Sequence, residues 1–190
     1  SVQGFEEVVL CGINLGEWGR DRGLELSDLL EQIECSRAGV RIRLSSLEPM
    51  SISKRLIDTI RNSKIICPHL HIPMQSGDDE VLARMKRPYS SNEFLKIAWE
   101  LINKIPGLCL GLDVILGFPG ETEHSFINTL DLLKKIPFAY LHIFPFSARP
   151  NTPAKMFKPK VAERVCRQRA QIISELDQTR RHDFALSQLG

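Results

Sequence analysis

The sequence predicts an α/β fold with parallel strands, arranged as part of an open β/α barrel. Three observations carry this. Short apolar or β-branched runs alternate with amphipathic stretches of helical period. Each connecting stretch is long enough to return the chain for a parallel pairing, which a tight turn cannot do. Several strands alternate polar and apolar residues, whereas strands covered by helices on both faces would be apolar throughout. One strand face then packs on helices, and the other looks into a hydrated cavity.

The elements follow in order. "EEVVLCGINLG" reads as a strand running into a glycine-bearing loop, and "LSDLLEQIE" as a helix capped by Ser27. "VRIRLSSLEP" is the second strand, stopped by Pro49, with "SISKRLIDTIRNS" as its helix. It places Arg41, Arg43 and Ser45 on one face and Ile42, Leu44 and Ser46 on the other. "CPHLHIPMQSG" is the third strand, with His69, His71, Pro73 and Gln75 opposite Leu70, Ile72 and Met74. Two helices follow, "DDEVLARMK" and "SSNEFLKIAWELINKI", the second opening with Ser90 and Glu93 at capping-box spacing. "LCLGLDVILGFPGE" is the fourth strand, with Asp113 set opposite Leu112 and Val114, and its helix is "TEHSFINTLDLLKKI", capped by Thr122. "FAYLHIFPFSARPNTP" is the fifth strand, with Tyr140 and His142 opposite Leu141 and Ile143. A long charged helix, "KVAERVCRQRAQIISELDQTRRHDFALSQ", closes the chain. The barrel portion spans 1–157, and 158–190 is a helix of the same domain.

Composition narrows the function classes. With 190 residues, 43% hydrophobic and 25% charged, the chain can bury one core. A formal net charge of +2 is low for a dedicated nucleic-acid binder, so any RNA contact must rest on local patches. No apolar run approaches the roughly 20 residues of a membrane helix, and no signal peptide is legible, so a cytoplasmic protein is expected. Five cysteines (Cys11, Cys35, Cys67, Cys109, Cys166) stand far apart, with the spacing of neither a disulfide framework nor a metal site. His69, His71 and His142 could ligate a metal, but no carboxylate or cysteine at ligand spacing completes a site, and hydrogen-bonded histidines are the expectation. In the last helix acids interleave with the Lys and Arg residues, as on an ordinary solvated face.

Ligand groups in β/α barrels gather at the C-terminal strand ends. Here those ends read "GINLGEWG", "SSLEP", "MQSG", "GFPGE" and "PFSARPNTP". The glycines let backbone donors approach a ligand. Ser45, Ser46, Glu48, Gln75 and Ser76 bring hydroxyl, carboxylate and amide groups suited to a ribose or an α-amino acid.

"HLHIPMQSGDDEVLARMKRPYS", "LDVILGFPGETEHSF" and "LHIFPFSARPNTPA" together resemble the radical S-adenosylmethionine methylthiotransferases, over essentially the whole chain. Within that family, "RLSSLEP" and "LHIFPFSARPNTPA" are most similar to the branch that modifies threonylcarbamoyladenosine beside the tRNA anticodon. Branches acting on isopentenyladenosine or on a ribosomal protein are the alternatives.

The resemblance implies a fold, a reaction and a set of contacts. The fold is a partial radical SAM barrel that lacks its first strand, with the N-terminal methylthiotransferase domain and the C-terminal RNA-binding β domain also outside this chain. The reaction abstracts hydrogen from the adenine carbon and installs a methylthio group, using S-adenosylmethionine and 4Fe-4S clusters. The Cys-x-x-x-Cys-x-x-Cys loop that holds the first cluster has no counterpart here, so the chain is expected to be inactive alone, and no catalytic or metal-ligating residue is assigned. For the cofactor, the resemblance puts Gly12 and Asn14 near the methionine amino group, Gln75 and Ser76 at the ribose with Ser45 and Glu48 one strand over, and Phe146 and Ser147 along the adenine. Asp113 replaces the first glycine of the family's Gly-x-Ile-x-Gly pattern. Arg149 and then Arg87 are the expected RNA phosphate contacts. Two rivals of other classes are weaker. A cofactor-independent barrel lyase would need a catalytic lysine or metal at a strand end, and a non-catalytic RNA-binding module would need a more basic chain with exposed stacking aromatics.

Overall fold

The computed structural model describes residues 4–36 and 39–189. Within them β1 (Glu7–Leu10), α1 (Leu26–Cys35), β2 (Arg41–Leu44), α2 (Lys54–Asn62) and β3 (His69–Gln75) follow one another. The chain continues with α3 (Asp79–Arg84), α4 (Ser91–Lys104), β4 (Cys109–Leu116), α5 (Glu123–Lys135), β5 (Tyr140–Pro145) and α6 (Glu163–Ser187). Two compact units emerge: the chain up to Pro73 with Trp99–Leu110, and Met74–Ala98 with the chain from Gly111 onward.

In the first unit β1 and β2 pair in parallel, from Glu7 opposite Arg41 to Leu10 opposite Leu44, and Ile42 bridges Ile66 in the same sense. The apolar face of β2 is sealed, since Ile42, Leu44 and Leu47 are buried together with Leu26 and Leu30 of α1 and Leu56, Ile57 and Ile60 of α2. Each such aliphatic side chain contributes about 1.5–3 kcal/mol relative to remaining exposed. The start of α1 corrects the sequence reading. Its N-cap is Glu25, whose backbone N–H donates to Asp28 Oδ2 at 2.7 Å, while Ser27 lies inside the first turn with a buried hydroxyl that has no partner. Two acids three residues apart satisfy the free end of the helix better than the serine could.

The polar face of the same strand pair is tied by charge. The Glu7 carboxylate accepts from Arg41 Nη2 at 2.7 Å and from Arg43 Nε at 2.6 Å. Residues directly opposite and diagonal across a strand pair are close enough for this. Hydrogen bonds from Arg43 first, then Arg41, hold the Glu7 carboxyl down at about 2. Burial, reinforced by Arg43 and His71, holds the His69 imidazole down at about 4, so it is neutral at physiological pH.

In the second unit the strands run in the order β3-β4-β5, with β3 entering at Met74 and β4 at Gly111. β4 and β5 pair in parallel from Gly111 opposite Tyr140 to Leu116 opposite Pro145. Leu112, Val114, Leu116 and Leu141 are buried with Phe126, Leu133 and Ile136. Most of α6 is solvated as expected, with one stripe turned to the sheet. Arg169, Ile173, Asp177 and Arg181 recur every fourth residue and so share one stripe of the helix. Asp177 Oδ1 accepts the Leu141 N–H at 2.6 Å, and Arg181 Nη2 donates to the Leu141 carbonyl at 3.2 Å. Along β3 the residues on both faces are sealed: Leu70, Ile72 and Met74 are fully buried, and His71 and Gln75 are only 7% and 8% exposed. The polar face of that strand is therefore drier than its alternation implies.

The two shifted groups of the first unit give a pH prediction. Below about 6.5 the unfolded chain protonates His69 while the fold resists doing so until about 4, so this contribution is complete above pH 6.5 and lost as pH falls to 4. The Glu7 contribution is complete above about 4.5 and lost as pH falls toward 2. Thermal melts from pH 8 to pH 3 should show the wild type losing Tm in both windows. His69→Gln should flatten the upper limb, and Glu7→Gln should lower Tm at pH 7 and converge on the wild type in acid. A wild-type Tm that stays level between pH 7 and pH 4 contradicts the His69 assignment.

Candidate functional site

The exit of β3 is built around Gln75. Its φ is +66°, a left-handed conformation that a non-glycine residue adopts only where its surroundings enforce it. The enforcement comes from the next three residues, which are bonded to α5. Ser76 Oγ lies 3.3 Å from Thr129 Oγ1 and accepts the Asp78 N–H, and Gly77 N–H donates to Thr129 Oγ1 at 3.0 Å. A Cβ on Gly77 would stand 2.6 Å from Thr129 Cα, so only glycine passes the helix this closely. Asp78 caps α3 through the Val81 N–H at 3.0 Å and accepts from Asn128 Nδ2 at 2.8 Å. Gln75 Oε1 is buried and has no partner.

Gln75 opens onto a cavity of about 290 Å³ walled by Ile115, Phe118 and Phe157. Arg84, Lys86 and Arg87 stand around it, the Arg84 guanidinium 5.5 Å from the centre of the Phe157 ring. The turn that leaves β4 divides this cavity from a second one of about 230 Å³. Phe118 lines the first, and Gly117 and Pro119 line the second with Phe146, Lys155 and Cys166. A wider hollow of about 450 Å³, beside the start of α3 and α5, is lined by Asp78, Asp79, Glu80 and Asp131 and is electrostatically unsuited to phosphate.

The other sequence-predicted positions fall as follows. Gly12 and Asn14 are exposed on the exit of β1, and the Asn14 carbonyl accepts the Glu17 N–H at 3.1 Å. Ser45 lies beside them, because its N–H donates to the Leu10 carbonyl at 2.9 Å, and its Oγ is buried without a partner. Glu48 is half-buried, and its carbonyl accepts from Ser51 Oγ at 2.8 Å. In the second unit Ser76 is 2% exposed, with its hydroxyl already engaged. Asp113 Oδ1 lies 3.3 Å from His142 Nδ1, a carboxylate partner for a histidine that sequence spacing hides. Phe146 continues the β4–β5 pairing through its N–H to the Leu116 carbonyl at 2.8 Å, and its ring meets Phe118 edge-on at 5.2 Å. Ser147 and Arg149 are exposed beyond it, while Arg87 joins Gln75 at the cavity. The sequence reading missed Glu121, Arg169, Arg84 and Phe157. Ile173 in line with Arg169 and Asp177 was the available signal for the second of these.

The chain matches the Radical SAM superfamily over residues 15–133. It belongs to that superfamily. It is 38% identical over 174 residues to the threonylcarbamoyladenosine tRNA methylthiotransferase MtaB of Thermotoga maritima, covering 92% of this chain and 40% of the relative. It is 36% identical to a tRNA-2-methylthio-N(6)-dimethylallyladenosine synthase of Pelotomaculum thermopropionicum, covering 92% and 39%. The fold is shared with the radical SAM enzyme coproporphyrinogen III oxidase of Escherichia coli, with a TM-score of 0.71 at 16% identity over 92% of this chain and 40% of that one. The α/β fold with parallel strands is thus of the radical SAM type, as expected from the sequence, and this radical SAM chain spans about two fifths of the length of the relatives it matches.

The cysteines of the radical SAM chain do not fit an iron–sulfur cluster. Cys11 and Cys35 are exposed, Cys67 is buried, and among the described residues no cysteine joins a set of ligating side chains close enough to share one ion. Burial pushes the Cys67 and Cys166 thiols up, away from the thiolate a cluster requires. Anaerobic treatment of the chain with iron and sulfide should leave it colourless, with no charge-transfer absorbance near the visible region and no stoichiometric iron. A brown protein retaining iron through gel filtration contradicts this.

Proposed function

We propose that this chain is catalytic-core sequence of a radical SAM tRNA methylthiotransferase, acting in the cytoplasm on threonylcarbamoyladenosine beside the anticodon. The observation that carries the reading is the cavity at Gln75, with apolar walls, a glutamine at its lining and a cationic rim. It suits the adenosine part of S-adenosylmethionine. Ile115, Phe118 and Phe157 exclude water from a purine, and the amide of Gln75, a residue of the same lining, is the proposed partner of a ribose hydroxyl or an adenine amino group. When bound, S-adenosylmethionine supplies the hydrogen-abstracting and methyl-donating chemistry. Phe146 and Ser147 are the proposed contacts along its adenine, with Asp113 on β4, and Ser76 fixes the exit of β3 beside Gln75.

The tRNA reading rests on charge as well as on the names of the relatives. Between Phe146 and Lys160 the sequence carries Arg149, Lys155, Lys158 and Lys160 and no acid, and Arg84, Lys86 and Arg87 add three more cations. Phosphate neutralisation by such a cluster gives affinity that falls steeply with salt. Identities of 38–40% to MtaB proteins and 35–36% to the dimethylallyladenosine synthases favour the threonylcarbamoyl branch. The dimethylallyladenosine branch is the second reading.

Calorimetric titration tests the cavity. 5′-Deoxyadenosine should bind weakly, and S-adenosylmethionine little better, because without cluster iron its amino and carboxylate groups stay hydrated. Gln75→Ala should weaken 5′-deoxyadenosine about 5- to 10-fold, the worth of one hydrogen bond of about 1–1.5 kcal/mol. Micromolar binding of S-adenosylmethionine that the substitution leaves unchanged places the site elsewhere.

A further inference from the structure

We infer that Arg169 of α6 is a positioning residue that sets the turn leaving β4, and with it the Phe118 wall of the cavity, acting through Glu121. The inference rests on the reading of that cavity as an adenosine site. Arg169 and Glu121 are almost completely buried, with side-chain exposures of 6% and 4%. The Arg169 guanidinium bonds one Glu121 oxygen and, through Nη2, Glu123 at 3.0 Å, and it lies 5.2 Å from the centre of the Phe126 ring. The other Glu121 oxygen accepts the Gly117 N–H at 3.1 Å. The chain of bonds thus runs from a rigid helix through one carboxylate to the first residue of the turn.

The turn needs such a hold. Gly117 and Gly120 sit at φ of +75° and +88°, in the region only glycine enters freely, so the Phe118–Pro119 pair between them can pivot at both of its ends. The turn is also tied by the Glu121 N–H to the Phe118 carbonyl at 2.8 Å and the Gly120 N–H to the Pro159 carbonyl at 2.7 Å. As a source of stability the ion pair is a poor choice. Two charges lose their hydration, the Arg169 Nε finds no partner, and burial pushes the Glu121 carboxyl up despite the adjacent guanidinium. An apolar pair of the same volume would pack as well. What it would lack is an acceptor aimed at Gly117, fixed from α6.

Three variants separate position from stability: Arg169→Met, Arg169→Lys, and the double variant Arg169→Met with Glu121→Gln, which removes the unpaired buried charge while keeping an acceptor near Gly117. Each is read by Tm, by amide hydrogen exchange at residues 117–121, and by titration with 5′-deoxyadenosine. In Arg169→Met, exchange in the turn should rise at least tenfold above the change elsewhere, and 5′-deoxyadenosine affinity should fall about tenfold. Arg169→Lys should recover part of both. The double variant should regain most of the Tm but neither the turn protection nor the affinity. If turn exchange and affinity follow Tm through all three variants, the pair is only structural and the inference fails. If the wild type does not bind 5′-deoxyadenosine while the exchange pattern stands, the cavity reading fails and Arg169 remains the anchor of the turn.

Discussion

A parallel strand at the edge of a sheet has backbone groups pointing outward, and something other than another strand must satisfy them. For β5 that something is α6. Asp177 takes the Leu141 N–H and Arg181 gives to the Leu141 carbonyl, so one residue of the edge has both of its outward groups bonded by side chains of a single helix. The bond between Arg181 Nε and Asp177 at 2.7 Å holds the two side chains in that geometry. With the helix fixed there, Ile173 lies in the core and Arg169 reaches Glu121. The turn after β4, and the cavity wall it carries, depend on how the edge of β5 is closed.

The energetics of this arrangement are uneven. Aliphatic burial supplies most of the stabilisation in both units, and it is indifferent to small displacements as long as volume is filled. Buried hydrogen-bonded charges contribute little net stability, but they discriminate sharply between one position and another. The second unit uses the first kind of interaction along β4 and the second kind at the exits of β3 and β4. Gln75 illustrates the same division. A left-handed residue costs on the order of 1–3 kcal/mol, offset by the bonds of Ser76, Gly77 and Asp78 to α5, and Gln75 is thereby held at the lining of the cavity with its amide oxygen buried.

Much of this was legible in the sequence, because its signals were local. The alternation in "HLHIPMQ" marks a strand, which the structure has over His69–Gln75, the spacing of Ser90 and Glu93 marks a real cap, and the Ser90 N–H does donate to Glu93 Oε2 at 2.8 Å. Thr122 caps α5 as expected. Ser27 reads as the cap because a serine precedes an apolar run, although Glu25 and Asp28 on either side of it carry the spacing the helix uses. Burial of the polar face of β3 escaped notice, since alternation reports which residues share a face and not what covers it. Arg169 and Glu121 were illegible as a pair. They are far apart in sequence, and each alone reads as a surface charge.

The four-residue spacing of the α6 stripe has a consequence for how this helix tolerates length changes. Arg169 and Asp177 stand eight positions apart, about 12 Å of helix at 1.5 Å per residue. The helix therefore works as a ruler between the outer edge of β5 and the turn after β4. Inserting one residue between those positions would rotate every later side chain by about 100°, carrying either the arginine or the aspartate off its target while leaving composition and helical propensity unchanged. Lineages descended from this chain should accept substitutions freely on the outer face of α6 yet keep the number of residues between its two anchors constant.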